Sequence, residues 1–200
     1  FFAKHMFYIF LAVFFLISFS FFEQEKLIKI SMILFIVFFV ALLLVPFIGA
    51  EVKGSKRWIH IGGPLPKFQP IELLKPFFIV VIASVLTLEN YKNIYFKYCL
   101  SLIIILPIVI LLTFQPDIGQ TLLIILTWLA LIFISGINLF IFYFFFTLII
   151  LFLSYLVFFV TKFEYIKKRL LSFLDSSSGN NYQSEKASDA IVNGGFFGKG

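Results

Sequence analysis

Residues 27–49 read LIKISMILFIVFFVALLLVPFIG, and one charge, Lys29, interrupts them. The run matches the roughly 20 apolar residues that a helix needs to cross the hydrocarbon of a bilayer. Five further apolar runs of similar length lie at about 6–22, 71–88, 98–114, 120–137 and 139–161. None alternates apolar with polar residues as a barrel strand does, so the backbone groups must be satisfied within helices. The gaps at 23–26, 89–97 and around 138 are short, which makes consecutive helices antiparallel neighbours. The expectation is an all-α polytopic transmembrane helix bundle with six spanning helices in residues 1–161. A polar loop fills 50–70, and a larger one begins at 162 and runs to 200.

Composition agrees with this reading. Hydrophobic residues make up 62% of the 200, charged residues 13%, and 31 are Phe. Soluble domains are nearer 45–50% apolar and about 25% charged, and a soluble fold of this size could not hide the excess. The net charge of +6 is therefore read as loop charge on a membrane protein, not as a nucleic-acid footprint. The single Cys99 rules out an intrachain disulfide. The chain opens on Phe1 and closes on GGFFGKG, and it reads as an internal stretch of a longer protein.

Helix alternation puts 50–70, 115–119 and 162–200 on one side of the membrane. Most Lys and Arg residues are on that side, among them Lys53, Lys56, Arg57, Lys67, Lys167, Lys168 and Arg169. By the positive-inside rule alone it would be cytoplasmic. The same side gathers Pro64, Pro66, Pro70, Pro76 and Pro116, together with Glu72, Lys75 and Asp117 at or within helix ends. Ionisable residues inside a membrane are costly and point to function.

Three clusters carry whatever chemistry the chain has. The first is GAEVKGSKRWIHIGGPLPKFQPIELLKP, residues 49–76. Lys53 to Lys56 form a turn, and Arg57 to Ile61 alternate as a short strand. Arg57 offers a planar fork for phosphate or carboxylate, and Trp58 an interfacial ring. A structured loop with an aromatic anchor explains the same residues. Pro70 suits the first turn of a helix. Glu72 and Lys75, three apart, can pair, either to satisfy each other or to present a cation to a phosphorylated ligand. Pro76 cannot donate to the Glu72 carbonyl, which predicts a kink.

The second cluster is Gln115-Pro116-Asp117-Ile118-Gly119-Gln120. Pro116 breaks one helix and Asp117 starts the next. Asp117 with Gln120 three later fits a capping box, or Asp117 is a carboxylate facing the same cavity as Glu72. The third cluster is the tail. A short surface helix is expected over 167–174, and another over 184–192 that ends at Asn193-Gly194-Gly195. GGFFGKG fails as a phosphate loop, since Asn193 and Gly200 stand where Gly and Ser or Thr are required. His5 and His60 lack partners at metal-ligand spacing.

Taken in order, GAEVKGSKRWIHIGG, FQPIELLK, FQPDIGQT and NNYQSEKASDAIVNGGFFGKG resemble the SEDS family (FtsW, RodA, SpoVE). The short Tyr-Gln to Gly-Gly loop, without a second aspartate–proline, is more similar to the FtsW branch than to the RodA branch. The resemblance implies about ten membrane helices, of which this chain would supply the second to the seventh and the start of a large extracellular loop. It implies a glycosyltransferase that polymerises lipid II into glycan strands during septal cell-wall synthesis, in the bacterial plasma (inner) membrane at the division septum. Alternatives are a lipid II flippase and a RodA-type polymerase controlling cell shape.

The implied substrate-binding residues are Arg57, Trp58, Gln69, Glu72, Lys75, Asp117, Tyr182, Gln183 and Lys199. Pro70, Pro116, Gly119, Gly194, Gly195 and Gly198 are the structural positions of the same motifs. Ile71 and Gln120 replace a Ser and a Thr of the family pattern. The family's catalytic aspartate falls beyond Gly200, so the stretch is expected to be inactive alone. Implied partners are lipid II and the growing lipid-linked glycan, a class B penicillin-binding protein transpeptidase, other divisome proteins and membrane lipid, but no nucleic acid. The resemblance assigns no definite cofactor and is compatible with a divalent Mg or Mn ion. The family places the basic side outside, where cations would serve a pyrophosphate instead of reporting topology.

Overall fold

The computed structural model describes residues 2–52, 55–60, 67–88, 93–164, 167, 182–195 and 198. Contacts divide the chain into two units, Phe1–Phe142 and Tyr143–Gly200.

The first unit opens with helices α1 (Phe2–Ser20) and α2 (Gln24–Ile48). Pro46 lies in the last turn of α2, and Gly49 then donates to the Val45 carbonyl at 2.8 Å. A Cβ on Gly49 would stand 2.3 Å from that carbonyl oxygen, so no side chain fits there without a backbone shift. The chain turns at once into a hairpin of β1 (Ala50–Val52) and β2 (Ser55–Trp58). Its antiparallel register pairs Ala50 with Trp58 and Val52 with Ser55, with an irregularity after Ala50. Beyond β2, Ile59 and Phe68 exchange backbone hydrogen bonds of 2.9 and 3.1 Å. That bridge returns the chain beside the hairpin and delivers Gln69 to the start of the next helix.

Helix α3 (Pro70–Leu86) follows, with Pro70 in its first turn as expected. It continues as one helix through Pro76. Its buried residues Ile71, Leu74, Phe78, Val81, Ile82 and Val85 recur at the three- and four-residue spacing of a single helical face. Helix α3 packs against α2, α4 (Ile94–Phe114) and α5 (Ile118–Ile134), so it is the central element of this unit. Phe38 of α2 stacks on Phe77 of α3 with centroids 5.7 Å apart. Asn93 caps α4 by accepting from the Tyr95 amide at 3.0 Å. Midway along α4 and α5, the Trp128 indole donates to Ser101 Oγ at 3.1 Å, and Ser101 donates to the Tyr98 carbonyl at 2.8 Å. In hydrocarbon such interhelical bonds contribute about 0.6 kcal/mol each on average.

Gly136 turns the chain with φ of 85°, and Asn138 accepts from the Phe140 amide to start α6 (Leu139–Phe159). The second unit holds the rest of α6, a 3-10 turn at Thr161–Phe163, and α7 (Tyr182–Gly194). The surface helix expected over 167–174 lies, apart from Lys167, outside the described residues.

Helices α2, α4 and α6, with 25, 21 and 21 residues, are long and apolar enough to cross a membrane. His5–Ser20 within α1, and α5, are apolar and shorter. The outward faces are aliphatic and aromatic, as in Phe10, Phe14, Ile103 and Phe140. Such surface suits lipid, which is as apolar as the side chains themselves.

Candidate functional site

The polar residues of the first unit meet where the first turns of α3 and α5 come together below the hairpin. The corner between α4 and α5 is built by Pro116. A residue before proline is disfavoured in helical conformation, and α4 ends at Phe114. The Asp117 amide then donates to the Leu112 carbonyl at 3.0 Å, and the Asp117 carbonyl accepts from the Thr121 amide and hydroxyl at 3.0 and 2.8 Å.

Arg57 reaches this corner from β2. Its Nε donates to the Gln115 carbonyl at 3.1 Å, and one terminal nitrogen donates to the Pro116 carbonyl. The other terminal nitrogen lies 3.6 Å from Asp117 Oδ1. A guanidinium is well suited to this place, because the carbonyls at a helix C-terminus lack helical donors and carry partial negative charge. It also pairs with a carboxylate that is nearly buried, Asp117 being 7% exposed. Burial of an unpaired carboxylate would be costly.

Two polar ties join α3 to α5. Gln69 Nε2 donates to Asp117 Oδ2 at 2.8 Å, and Gln120 Nε2 donates to Glu72 Oε1 at 2.5 Å. Each tie pairs an amide with a carboxylate, and the two are three residues apart on both helices. Their polarity is reversed, with the carboxylate on α5 in the first and on α3 in the second. Lys75 completes the second tie, its Nζ 2.5 Å from Glu72 Oε2. The inner tie is buried, whereas the Glu72 side chain is 48% exposed and that of Lys75 19%. Two amide atoms here, Gln115 Nε2 and Gln120 Oε1, are buried with no hydrogen-bond partner among the described residues.

The expected capping box at Asp117 and Gln120 is not formed. Asp117 stands at the N-cap position of α5 but makes no side-chain cap bond. Its carboxylate is turned to Gln69 and Arg57, and Gln120 to Glu72. Of the residues singled out in the sequence, Arg57, Gln69, Glu72, Lys75 and Asp117 are brought together, with Pro70 and Pro116 shaping the turns that hold them. Trp58 follows Arg57 on β2 and is exposed. A Cβ on Gly119 would meet only Asp117 Oδ1, at 4.0 Å.

Tyr182 and Gln183 begin α7 in the second unit and Gly194 ends it. Gly195 and Gly198 adopt φ of 60° and 72°, a region that favours glycine. Lys199 lies outside the described residues. Sequence reasoning missed the roles of Gln115 and Gln120. The available signal was that Gln120 follows Asp117 by the same three residues that separate Gln69 from Glu72. Among the described residues, no three His, Cys, Asp or Glu side chains form a group that could hold a metal ion.

The family described as "Cell cycle protein", comprising FtsW, RodA and SpoVE, matches residues 1–200. The probable peptidoglycan glycosyltransferase FtsW of Buchnera aphidicola subsp. Schizaphis graminum is 34% identical over 98% of this chain and 56% of its own length. The peptidoglycan glycosyltransferase MrdB of Escherichia coli is 29% identical over 84% of this chain and 45% of its own. The chain thus spans about half the length of the curated relatives it matches. Among solved structures, the rod shape determining protein RodA of Thermus thermophilus aligns with a TM-score of 0.55 at 30% identity, covering 64% of this chain and 41% of that one. A structure described as showing the coordination of polymerization and crosslinking by a peptidoglycan synthase complex aligns with a TM-score of 0.66 at 26% identity, covering 90% and 54%.

Proposed function

The chain belongs to the FtsW, RodA and SpoVE family, and on that premise we propose that it forms the substrate-binding half of a peptidoglycan glycosyltransferase that polymerises lipid II. The FtsW-named relatives favour the septal role over cell elongation. All six helices from α1 to α6 cross the bacterial inner membrane, with the hairpin side outside.

The observation that carries the reading is the outer tie. At the polar end of an otherwise apolar bundle, Lys75 is held against a half-exposed Glu72. In glycosyl transfer from lipid II the donor departs as a lipid pyrophosphate, whose negative charge grows as the glycosidic bond breaks. A cation fixed in advance at that position stabilises the developing charge without reorganising during the reaction. Arg57 spends its Nε and one terminal nitrogen on the α4–α5 corner, so its charge is presented from a fixed frame. Trp58 lies at the membrane edge beside the prenyl chain. Gln69 and Asp117 hold α3 and α5 at the spacing the substrate meets. In the second unit, taken by itself, Tyr182, Gln183 and Lys199 are proposed as lipid II-binding positions. The general base for the acceptor hydroxyl is not assigned to any residue here. A class B penicillin-binding protein is the expected partner, a reading supported by the peptidoglycan synthase complex among the structural relatives.

The test is polymerisation of labelled lipid II by the purified full-length protein. Lys75→Ala should abolish glycan product while the protein remains folded, and Arg57→Ala should abolish it at a cost in stability, because it leaves the buried Asp117 without its cation. Wild-type glycan synthesis by both would sink the proposal. Translocation of lipid II without glycan product would identify a flippase, and indifference to Glu72 or Asp117 replacement a scaffold.

A further inference from the structure

We infer that Gln120 is a positioning residue that sets where Lys75 presents its charge. The inference rests on the proposed role of Lys75 toward a pyrophosphate. Glu72 has two carboxylate oxygens, and the structure assigns one to each neighbour. Gln120 Nε2 holds Oε1 at 2.5 Å, and Lys75 Nζ holds Oε2 at the same distance. A half-exposed carboxylate on a helix surface has several rotamers open to it, and a lysine paired only with that carboxylate would follow it among them. The bond from Gln120 comes from a different helix, so it fixes the Glu72 plane relative to α5 and leaves Lys75 one location. Lys75 has three donors, and the Glu72 pair occupies one of them.

A second observation places the Gln120 amide at the site instead of in passive packing. Its Oε1 is buried and has no partner among the described residues. A buried acceptor left unsatisfied is destabilising, and protein cores rarely retain one. A hydroxyl or amide N–H of a ligand bound against Lys75 would supply the missing donor. Ionised pyrophosphate carries no such donor, so against that ligand residue 120 acts only through Glu72 and Lys75. A shorter side chain at this position, such as Thr, could not span to Glu72 in the same way.

The experiment measures inhibition of full-length protein by inorganic pyrophosphate, alongside thermal stability, for Gln120→Met, Lys75→Ala, Glu72→Gln and the pairwise combinations. Gln120→Met keeps the length and apolar volume of the side chain and removes both polar atoms. The expected result is pyrophosphate inhibition weakened about tenfold, the effect of losing one hydrogen bond to a charged group, with the melting temperature near wild type. In a Glu72→Gln or Lys75→Ala background the same substitution should add little, because it acts through those residues. A Gln120→Met protein that melts early yet is inhibited by pyrophosphate as well as wild type would show that Gln120 only fastens α3 to α5, and would overturn the inference. Additive effects in the double variants would overturn it too. If Lys75→Ala leaves pyrophosphate inhibition unchanged, the role of Lys75 itself fails, and that outcome is distinguishable because it appears without any change at residue 120.

Discussion

The inner and outer ties between α3 and α5 use the same chemistry, one carboxamide on one carboxylate, and differ in surroundings. Gln69 and Asp117 are both buried, and Arg57 closes over them. Glu72 is about half exposed, and its second oxygen holds Lys75. Burial decides what each can do. A buried carboxylate cannot lose its partners without leaving a desolvated charge, so the inner tie bears on stability. An open one is partly solvated, its partners contribute little to folding, and it is free to orient a cation. The difference teaches that spacing in the sequence sets which residues can pair, and that depth in the bundle sets whether the pair is scaffold or tool.

The largest effect should come from breaking the inner tie. Asp117→Ala leaves the Arg57 guanidinium and the Gln69 amide without their carboxylate, and should destabilise the protein by about 3 kcal/mol, the scale of a broken buried pair. Asp117→Asn should recover most of that, since its amide oxygen still accepts from Gln69. Denaturant or thermal unfolding in detergent measures both. If Asp117→Ala unfolds like wild type, the inner tie is not a scaffold and the comparison collapses. Gln69→Leu should rank next, at roughly 1–3 kcal/mol, because it leaves one oxygen of a buried carboxylate unsatisfied.

The outer tie should show the opposite balance. Lys75→Ala should lower stability by less than about 1 kcal/mol, as for a partly exposed ion pair, and abolish glycan synthesis. Equal losses of stability from Lys75→Ala and Asp117→Ala would erase the distinction between the ties. The smallest effect is expected at Gly119, whose added Cβ would touch only Asp117 Oδ1, at ordinary contact distance. Gly119→Ala should keep activity and stabilise α5 by up to about 1 kcal/mol through helix propensity. A clear loss would mean that the substrate backbone or sugar approaches the first turn of α5 closely.

Much of this was legible in the sequence. The buried stripe of α3 follows from apolar spacing at Ile71, Leu74, Phe78 and Ile82. The strand through Arg57 was legible from alternation, but it was expected over 57–61 and lies at Ser55–Trp58, where pairing with Ala50–Val52 sets its start. The Glu72–Lys75 pair follows from helical geometry alone. What could not be read was partnership across helices. The Asp117–Gln120 spacing fits a capping box and an interhelical rung equally well, and only the position of α3 decides between them. Arg57 finds the carbonyls of Gln115 and Pro116 nearly sixty residues away, and backbone carbonyls leave no mark in side-chain pattern. Gln115 carries no mark of its place in the sequence, and Gln120 reads there as a capping partner, because what sets both apart is an atom that burial leaves unpaired.

The central claim is that the open tie holds a cation for the departing pyrophosphate while the buried tie holds the helices. The most direct test is polymerisation of labelled lipid II by full-length Lys75→Ala protein, with its unfolding midpoint measured on the same preparation. The account predicts no glycan product at a near wild-type midpoint. Wild-type glycan yield from a folded Lys75→Ala protein would contradict it.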